Sequence, residues 1–421
     1  FNNERSERQY FVEDKRSNRK FELEFKGTPP GHLRSGMEVR IRGKAKGRKI
    51  FLAADGADSS IDVNSSPTPA VSGDQATVVM VADFNDATVT CSDGEIRDKV
   101  FTDPLGQSID DLYRETSLNQ VSIVGDVLGR YNIDVASTDA CDVNAWADAT
   151  DAAAQASGVD LSVYSRKVYV LPENNSCGWS GLGSLGGNPS YAWILRCDLD
   201  AVYAHEIGHN LGMNHASTAR SEYGDSTDFM GTAMSGLRQI NSAHQEQMGW
   251  RAPSAFAEVT ASGTYDIAPL ELESTLALAP QALKILQPDT GDYYSLSFRQ
   301  PIGFDANLSS ALTETLHVHA YNGNGGRTTF LKAVLQGESF VDTDNSITLT
   351  HISHNSDYLT VQVQLDGSTS SPTCTASAPS IALSPAAQSG NPGITLEYSV
   401  SVTNQDSSAC MPTSFSLGHV V

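Results

Sequence analysis

The sequence predicts a multidomain protein of the α+β class, with a mixed α/β region between regions built mainly from β-strands. The chain has 421 residues, more than one hydrophobic core normally organises, so its length predicts two to four domains. Buried-strand and amphipathic-helix patterns alternate in the middle of the chain. Strand-like alternation dominates on either side of that part.

Residues 1–63 predict a small basic β domain. Apolar and polar side chains alternate over residues 8–52, interrupted by two prolines and a glycine. We expect an OB-like five-stranded barrel here. Residues 64–76 are rich in Ser, Pro and Gly and predict an exposed linker.

Residues 77–251 predict the α/β domain. An apolar run that begins at Thr77 suits a buried strand, Ser108 is placed to cap a helix, and a second helix is expected from Asp142 to about residue 156. Further strand patterns cover residues 120–135, 167–171 and 191–195.

Residues 178–188 contain five glycines and predict a loop or a sheet edge. Glycines here would permit close approach of another backbone, for example that of a bound peptide. After Trp250 the sequence is β-rich, and residues 252–367 predict a β-sandwich. Residues 373–421 predict an immunoglobulin-like C-terminal module, which we expect to be incomplete.

The formal net charge of −22 argues against a nucleic-acid partner. Residues 1–50 nevertheless carry a charge of +7, which leaves −29 for the rest of the chain. This basic segment is either a solvated face of a small domain or an inhibitory pro-segment, as in a zymogen, steered onto an acidic body. Residues 1–63 contain no cysteine, so a pro-segment there could not block a metal ion with a thiolate. It would have to use a carboxylate group or steric bulk.

The chain contains no run of eighteen apolar residues, so we expect no membrane insertion. It has six cysteines and no closely spaced cysteine pair of the metal-binding type, which favours disulfides and therefore a secreted, extracellular protein. We expect any secretory leader to have been removed before residue 1. Free thiols and other pairings stay open, but we favour a disulfide between Cys177 and Cys197, which would staple the glycine-rich loop. The disulfide candidates are Cys91, Cys141, Cys177, Cys197, Cys374 and Cys410.

The strongest chemical signal is a string of three histidines and a glutamate. His205 and His209 lie four residues apart in a predicted helix, so both rings project from one face. Gly212 would end the helix with a sharp turn and let His215 approach as a third metal ligand. Three neutral imidazoles leave one tetrahedral position of a zinc ion open, as catalytic sites require. Glu206 is then placed to act on a water molecule.

Two other interpretations of this string remain: buried core histidines, or a metal site without catalysis. The complete pattern His-Glu-x-x-His-x-x-Gly-x-x-His resembles that of metzincin zinc metallopeptidases. Residues 222–231, residues 241–250 and the Cys-Gly-Trp-Ser-Gly run at residues 177–181 are similar to the gametolysin-like secreted family. The resemblance covers about residues 75–365.

This resemblance implies a zinc endopeptidase that cleaves peptide bonds of extracellular proteins, with Glu206 as general base and the substrate extended along a sheet edge. It also implies a methionine beneath the metal, for which Met230 is the better match and Met234 the alternative. Where some metzincins have a further tyrosine ligand, this chain has Thr232. Two interpretations of Tyr223 stay open: it stabilises an oxyanion, or it is an ordinary aromatic residue on the surface.

Two further interpretations of the whole chain are an extracellular adhesin or carbohydrate-binding protein with a non-catalytic metal domain, and a deacylase that uses the same metal chemistry. His317 and His319 alternate on a predicted strand and are either a second metal site or exposed side chains. Calcium is a further candidate ion, because its oxygen ligands could come from a turn. That turn contains Asp342, Asp344 and Asn345.

Overall fold

The computed structural model describes residues 10–14, 19–26, 38–53, 60–65, 71–231, 236–321, 326–365, 380–384 and 399–403. The chain divides into two compact units, residues 1–364 and residues 365–421. Several sheets and few helices make the described part a mixed α+β structure. Within it, every helix is too short or too polar to cross a membrane.

The N-terminal strands form two separate sheets. Four of them form one sheet in the order β1-β2-β5-β4, and β3 pairs with β6. The expected barrel is therefore wrong for the described residues, because β1 and β4 each have a single neighbour and the sheet does not close. The strands are β1 (Tyr10–Asp14), β2 (Arg19–Lys26), β3 (Glu38–Arg42), β4 (Lys44–Lys46), β5 (Lys49–Ala53) and β6 (Ser60–Ser65).

A five-stranded sheet forms the centre of the α/β region, in the order β10-β11-β9-β7-β8. The strands are parallel except β10, which runs antiparallel along the edge. The expected strands at residues 77, 120–135, 167–171 and 191–195 are all confirmed. Their bounds are β7 (Gly73–Asp83), β8 (Val121–Asn132), β9 (Arg166–Val170), β10 (Gly181–Gly183) and β11 (Ser190–Ile194).

Strand β7 is buried on both faces, which explains its continuous apolar sequence. Val79 and Val81 face one hydrophobic core, and Val78 and Met80 face another. Helices cover both cores, since parallel strands need crossover connections that pack on the sheet. In the described ranges the α-helices are α1 (Asp93–Arg97), α2 (Ile109–Thr116), α3 (Val143–Ala156), α4 (Asp200–Leu211) and α5 (Ser242–Met248).

Helix starts follow the predicted caps in two cases. The Ser108 hydroxyl accepts a hydrogen bond from the Asp111 amide at 3.1 Å, and the Asp111 carboxylate accepts one from the Ser108 amide at 3.0 Å. Asp142 caps α3 by accepting from the Ala145 amide at 3.0 Å. Helix α1 was not expected, although Ser92 and Glu95 form the same kind of reciprocal cap.

The β-rich region that follows contains two sheets. One has six strands in the order β12-β18-β17-β16-β15-β13, and the other has four in the order β14-β21-β20-β19. The sandwich arrangement stays a prediction. The strands are β12 (Ala216–Thr218), β13 (Phe256–Glu258), β14 (Gly263–Ile267), β15 (Ala282–Leu286), β16 (Tyr293–Arg299), β17 (Thr315–Tyr321), β18 (Thr328–Val334), β19 (Ser339–Asp342), β20 (Ile347–His354) and β21 (Leu359–Leu365).

Strand β12 connects the two regions of the first unit. It begins directly after His215, yet it pairs in parallel with β18, whose sequence lies more than a hundred residues later. The six-stranded sheet therefore takes a strand from upstream of residue 252, where we predicted the β region to begin. The segment that directly follows His215 is thus held by the β region.

Two disulfides link Cys91 with Cys197 and Cys141 with Cys177. The favoured pairing of Cys177 with Cys197 is therefore wrong. The reason is spatial: Cys197 lies 6.0 Å from Cys91 between Cα atoms, although 106 residues separate them in sequence. The glycine-rich loop is stapled through Cys141 instead.

The second unit is described through one antiparallel pair, β22 (Ser380–Ser384) with β23 (Ser399–Thr403). Cys374 and Cys410 lie outside the described residues. The predicted immunoglobulin-like module likewise lies mostly outside them and stays a prediction.

Candidate metal centre

Helix α4 carries the first two histidines of the motif and the glutamate. His205 and Glu206 are buried, with 1% and 2% exposure, and His209 is 9% exposed. Gly212 ends the helix with a φ of 108°, a left-handed conformation that favours glycine, as the sequence predicted. The chain then turns back and brings His215 to the same place.

The three imidazoles converge. One nitrogen from each ring lies within 4.8 Å of the others, and His209 Nε2 is 3.0 Å from His215 Nε2. Among the described residues, this is the group of three or more metal-binding side chains that meets such a distance criterion. The predicted ligands are therefore brought together at one point.

The opposite nitrogen of each ring has an oxygen partner. His205 Nδ1 lies 3.1 Å from the Phe229 carbonyl oxygen, and His209 Nδ1 lies 2.8 Å from that of Met213. His215 Nδ1 lies 2.8 Å from Glu222 Oε1. Since these oxygens accept hydrogen bonds, each Nδ1 is the protonated nitrogen.

This tautomer makes Nε2 the unprotonated nitrogen of each ring. Two unprotonated nitrogens cannot hydrogen-bond to each other, so the 3.0 Å separation between His209 and His215 is unfavourable without a cation between them. Zinc–nitrogen bonds of about 2.0–2.1 Å in a tetrahedron would hold such nitrogens about 3.3 Å apart. Burial also lowers the pKa of His205 to about 3, which favours the neutral ring that a metal requires. The donor set therefore fits a zinc ion.

Glu206 lies beneath the edge strand β10. A methyl group added at Gly181 would lie 2.5 Å from Glu206 Oε1, and one added at Gly183 would lie 2.9 Å from Oε2. The glycines of this strand thus permit close approach of the Glu206 carboxylate and, at Gly183, of the Glu206 main-chain carbonyl oxygen, 2.8 Å from an added methyl group. A bound peptide beside them stays a prediction. Burial raises the pKa of Glu206 well above its usual value.

Met230 lies under helix α4 and is fully buried. Its Sδ atom occupies the space where a side chain at Gly208 would be, one residue before His209. The Met230 amide donates to Asp228 Oδ1 at 2.7 Å, which fixes the turn. Met234 and Thr232 lie outside the described residues.

The loop that contains Met230 is held by buried polar residues from later in the chain. Asp228 Oδ2 accepts from the Asn241 amide at 2.8 Å and pairs with His244 Nδ1 at 2.8 Å. Asp225 pairs with His319 Nε2 at 2.9 Å. Sequence reasoning missed these supports, because an aspartate in a loop is normally solvated and nothing local marks its partner.

The electrostatics of Asp225 follow from this pairing. Burial by itself would raise the pKa of the carboxyl group. The positive charge of His319 and hydrogen bonds from His319 and Thr227 outweigh burial, and they hold the pKa well below its usual value. Asp225 is therefore a buried anion that stabilises the loop.

His317 and His319 are both fully buried, so the expectation that they are exposed is wrong. His319 contacts Asp225, and His317 Nε2 lies 2.6 Å from the Leu312 carbonyl oxygen. These contacts give each ring one structural partner, and a second metal site stays a prediction.

The turn considered for calcium is closed by its own hydrogen bonds. Asp342 Oδ1 accepts from the amides of Asp344 and Asn345 at 3.1 and 3.2 Å. Its Oδ2 accepts from the Tyr294 hydroxyl at 2.6 Å. Calcium stays a prediction.

Tyr223 is not a distant surface residue. Its ring centroid lies 4.4 Å from that of His215 and 5.7 Å from that of His205. The tyrosine therefore forms part of the wall of the histidine cluster.

Comparisons of this chain with known proteins identify its family. The model of the gametolysin peptidase M11 family matches residues 76–351. An autolysin of Chlamydomonas reinhardtii is 35% identical over 96 residues, which cover 21% of this chain and 15% of that protein. A chain from a solved structure of a chaperone-substrate complex aligns with 46% of this chain and 38% of its own, at 17% identity and a TM-score of 0.24. The family match covers well over half of the chain and includes the histidine cluster, so the protein belongs to the gametolysin peptidase M11 family.

Proposed function

We propose that this protein is a secreted, zinc-dependent endopeptidase of extracellular proteins. The observation that carries the proposal is the convergence of three buried histidines, each with an oxygen partner at Nδ1, from helix α4, which also contains Glu206, and from the loop that follows it. Family membership favours a peptidase over an adhesin or a deacylase. The two disulfides support an extracellular setting.

In this proposal His205, His209 and His215 hold the zinc ion. When bound, zinc supplies Lewis acidity, which polarises a carbonyl group and acidifies a water molecule. Glu206 accepts a proton from the attacking water and passes it to the leaving amine.

The substrate is proposed to bind as an extended strand along β10. This strand is at the edge of the sheet and lies next to Glu206. A peptide added to the edge would be held by backbone hydrogen bonds and would cross the histidine cluster. Such binding requires little of the substrate sequence, which is consistent with cleavage of varied proteins. A pro-segment role for residues 1–63 rests on charge asymmetry and stays a prediction.

The proposal is tested by the cleavage of a fluorogenic peptide library with and without a zinc chelator. Chelation is expected to abolish cleavage, and added zinc is expected to restore it. Glu206→Gln should retain zinc by elemental analysis but lose about 10²- to 10⁴-fold in kcat, the usual contribution of a general base.

Glu173→Gln is the matched control, since Glu173 makes an ion pair with Arg196 and its side chain is 69% exposed. It should cleave as the wild type does. Chelator-resistant cleavage, or full activity in Glu206→Gln, would contradict the proposal.

A further inference from the structure

We propose that Glu222, paired with Arg327, is a positioning residue for His215, so that the β region sets the zinc affinity of the site. The inference rests on the proposed zinc site and adds a role for two residues outside the metal motif. Glu222 acts through His215, and Arg327 acts through Glu222.

The contacts that define this pair lie at the edge of the histidine cluster. Glu222 Oε1 lies 2.8 Å from His215 Nδ1, and the two side chains are 9% and 7% exposed. The same oxygen forms an ion pair with the Arg327 guanidinium, whose side chain is 42% exposed. One carboxylate oxygen therefore connects a proposed metal ligand to a cation near the surface.

His215 differs from the other two ligands in how it is oriented. His205 and His209 contact main-chain carbonyl groups, which are neutral and fixed by the backbone. His215 lies beyond the end of α4 and contacts a charged side chain instead. A carboxylate partner makes an imidazole a stronger electron donor and fixes its ring, so His215 is the ligand that a side-chain change can weaken.

The backbone explains why Arg327 reaches this place. The Thr328 amide donates to the His215 carbonyl oxygen at 3.2 Å, and β12 then pairs with β18. The Ser217 hydroxyl donates to the Thr328 carbonyl oxygen at 2.8 Å. Arg327 directly precedes β18. The pairing of β12 with β18, which holds the backbone after His215, therefore also places the Arg327 guanidinium next to Glu222.

The experiment measures the zinc dissociation constant of the full chain by competition with a chromogenic chelator. Glu222→Gln keeps the size of the side chain but removes its charge. Its dissociation constant should rise about 10- to 100-fold, the usual cost of losing an outer partner of a metal-binding histidine. Arg327→Gln should raise it by a few-fold, because a partly exposed ion pair is weak.

In the double variant the effect of Arg327→Gln should disappear, since arginine acts through the missing carboxylate. Glu338→Gln is the matched control, because Glu338 pairs at 3.3 Å with Lys332 of β18 and both side chains are exposed. Its dissociation constant should equal that of the wild type. The melting temperature of the metal-free chain is measured for every variant, because a loss of zinc affinity in a folded chain assigns the effect to metal binding.

An unchanged zinc dissociation constant in Glu222→Gln, with wild-type chain binding zinc normally, would overturn the positioning role and leave the proposed function intact. Wild-type chain that binds no zinc would overturn both. If Glu222→Gln fails to fold, Arg327→Gln decides: equal affinity to the Glu338→Gln control overturns the inference.

Discussion

Two parts of the metal centre are held in different ways. Helix α4 delivers His205 and His209 by its own periodicity, and it lies against the edge strand β10 of the same region. The loop from Met213 to Gly231 carries His215 and Met230. It is held by β18 and His319 of the β region and by Asn241 and His244 at the start of α5. The helix half of the site is thus encoded locally, and the loop half depends on contacts distant in sequence.

The two halves of the site differ in where the contacts that stabilise them lie in the sequence. A helix needs apolar spacing, caps and a stop signal, which all lie within a few residues of one another. A loop with buried carboxylates needs partners that only the tertiary structure supplies, and losing one leaves a buried group unsatisfied. We therefore expect the loop half to be the more sensitive to single changes.

The largest expected effect on stability is at Asp225. Asp225→Asn removes the anion that pairs with His319 in a fully buried site, so the free energy of unfolding should fall by about 3–5 kcal/mol. Urea denaturation of the protein, made metal-free with a chelator, measures this free energy of unfolding.

Asp126→Asn serves as the control for Asp225→Asn. Its carboxylate pairs with Arg97 at 3.3 Å and is 58% exposed, so the loss should be at most about 1 kcal/mol. Equal losses in the two variants would remove the distinction between the two halves of the site.

The helix half should be most sensitive at Gly183. Gly183→Ala places a methyl group against the Glu206 carboxylate, and a displacement of about 1 Å in a catalytic group can reduce kcat about 100-fold. The same methyl group would lie 3.0 Å from the His209 Cβ atom, so zinc affinity is measured as well and kcat is compared at saturating zinc. Gly94→Ala is the control, since its methyl group would come no closer than 3.9 Å to a neighbour. Wild-type kcat in Gly183→Ala would show that β10 does not position Glu206.

The pH dependence of unfolding should report the buried histidines of the β region. Burial, with repulsion from Arg299 and His319, lowers the pKa of His317 from 6.5 to about 3. The unfolded chain then binds a proton that the folded chain does not, so stability is lost as pH falls from about 6.5 towards 3.

His317→Gln removes this titration and should make the urea midpoint of chelated protein less dependent on pH between 7 and 4. The comparison with wild type at pH 7 separates this effect from any general loss of stability. An identical pH dependence in the two proteins would contradict a neutral, buried His317.

The smallest effect is expected where the sequence alone explains the contact. Ser108→Ala removes the cap of α2 and should lower the free energy of unfolding by about 1 kcal/mol. Thermal unfolding of the chelated protein measures it. A loss as large as that of Asp225→Asn would mean that local and distant contacts contribute alike.

The sequence allowed the α/β strands, two capped helices and the histidine motif to be predicted, because each has a signal of a few residues. Ser108 and Asp142 mark helix starts, and Gly212 marks a helix end. The pairing of Cys91 with Cys197 could not be predicted, since it depends on how two distant segments meet.

The supports of the loop half were missed for the same reason. Glu222 was part of a motif with no assigned role, and Arg327 lies just before a strand about a hundred residues later in the chain. The predicted N-terminal barrel was wrong because alternating patterns identify strands but not their neighbours.

The pairing of β12 with β18 has a practical consequence for anyone who shortens this protein. A fragment that stops near residue 251 would lose the neighbour of β12. It would also lose three buried contacts: Asn241 with Thr328, the Thr227 carbonyl oxygen with Arg299, and Asp225 with His319. The family match agrees with a larger unit, since it continues to residue 351. The smallest portion worth expressing for enzymology therefore extends through β21, and libraries that vary substrate preference should leave residues 327–334 untouched.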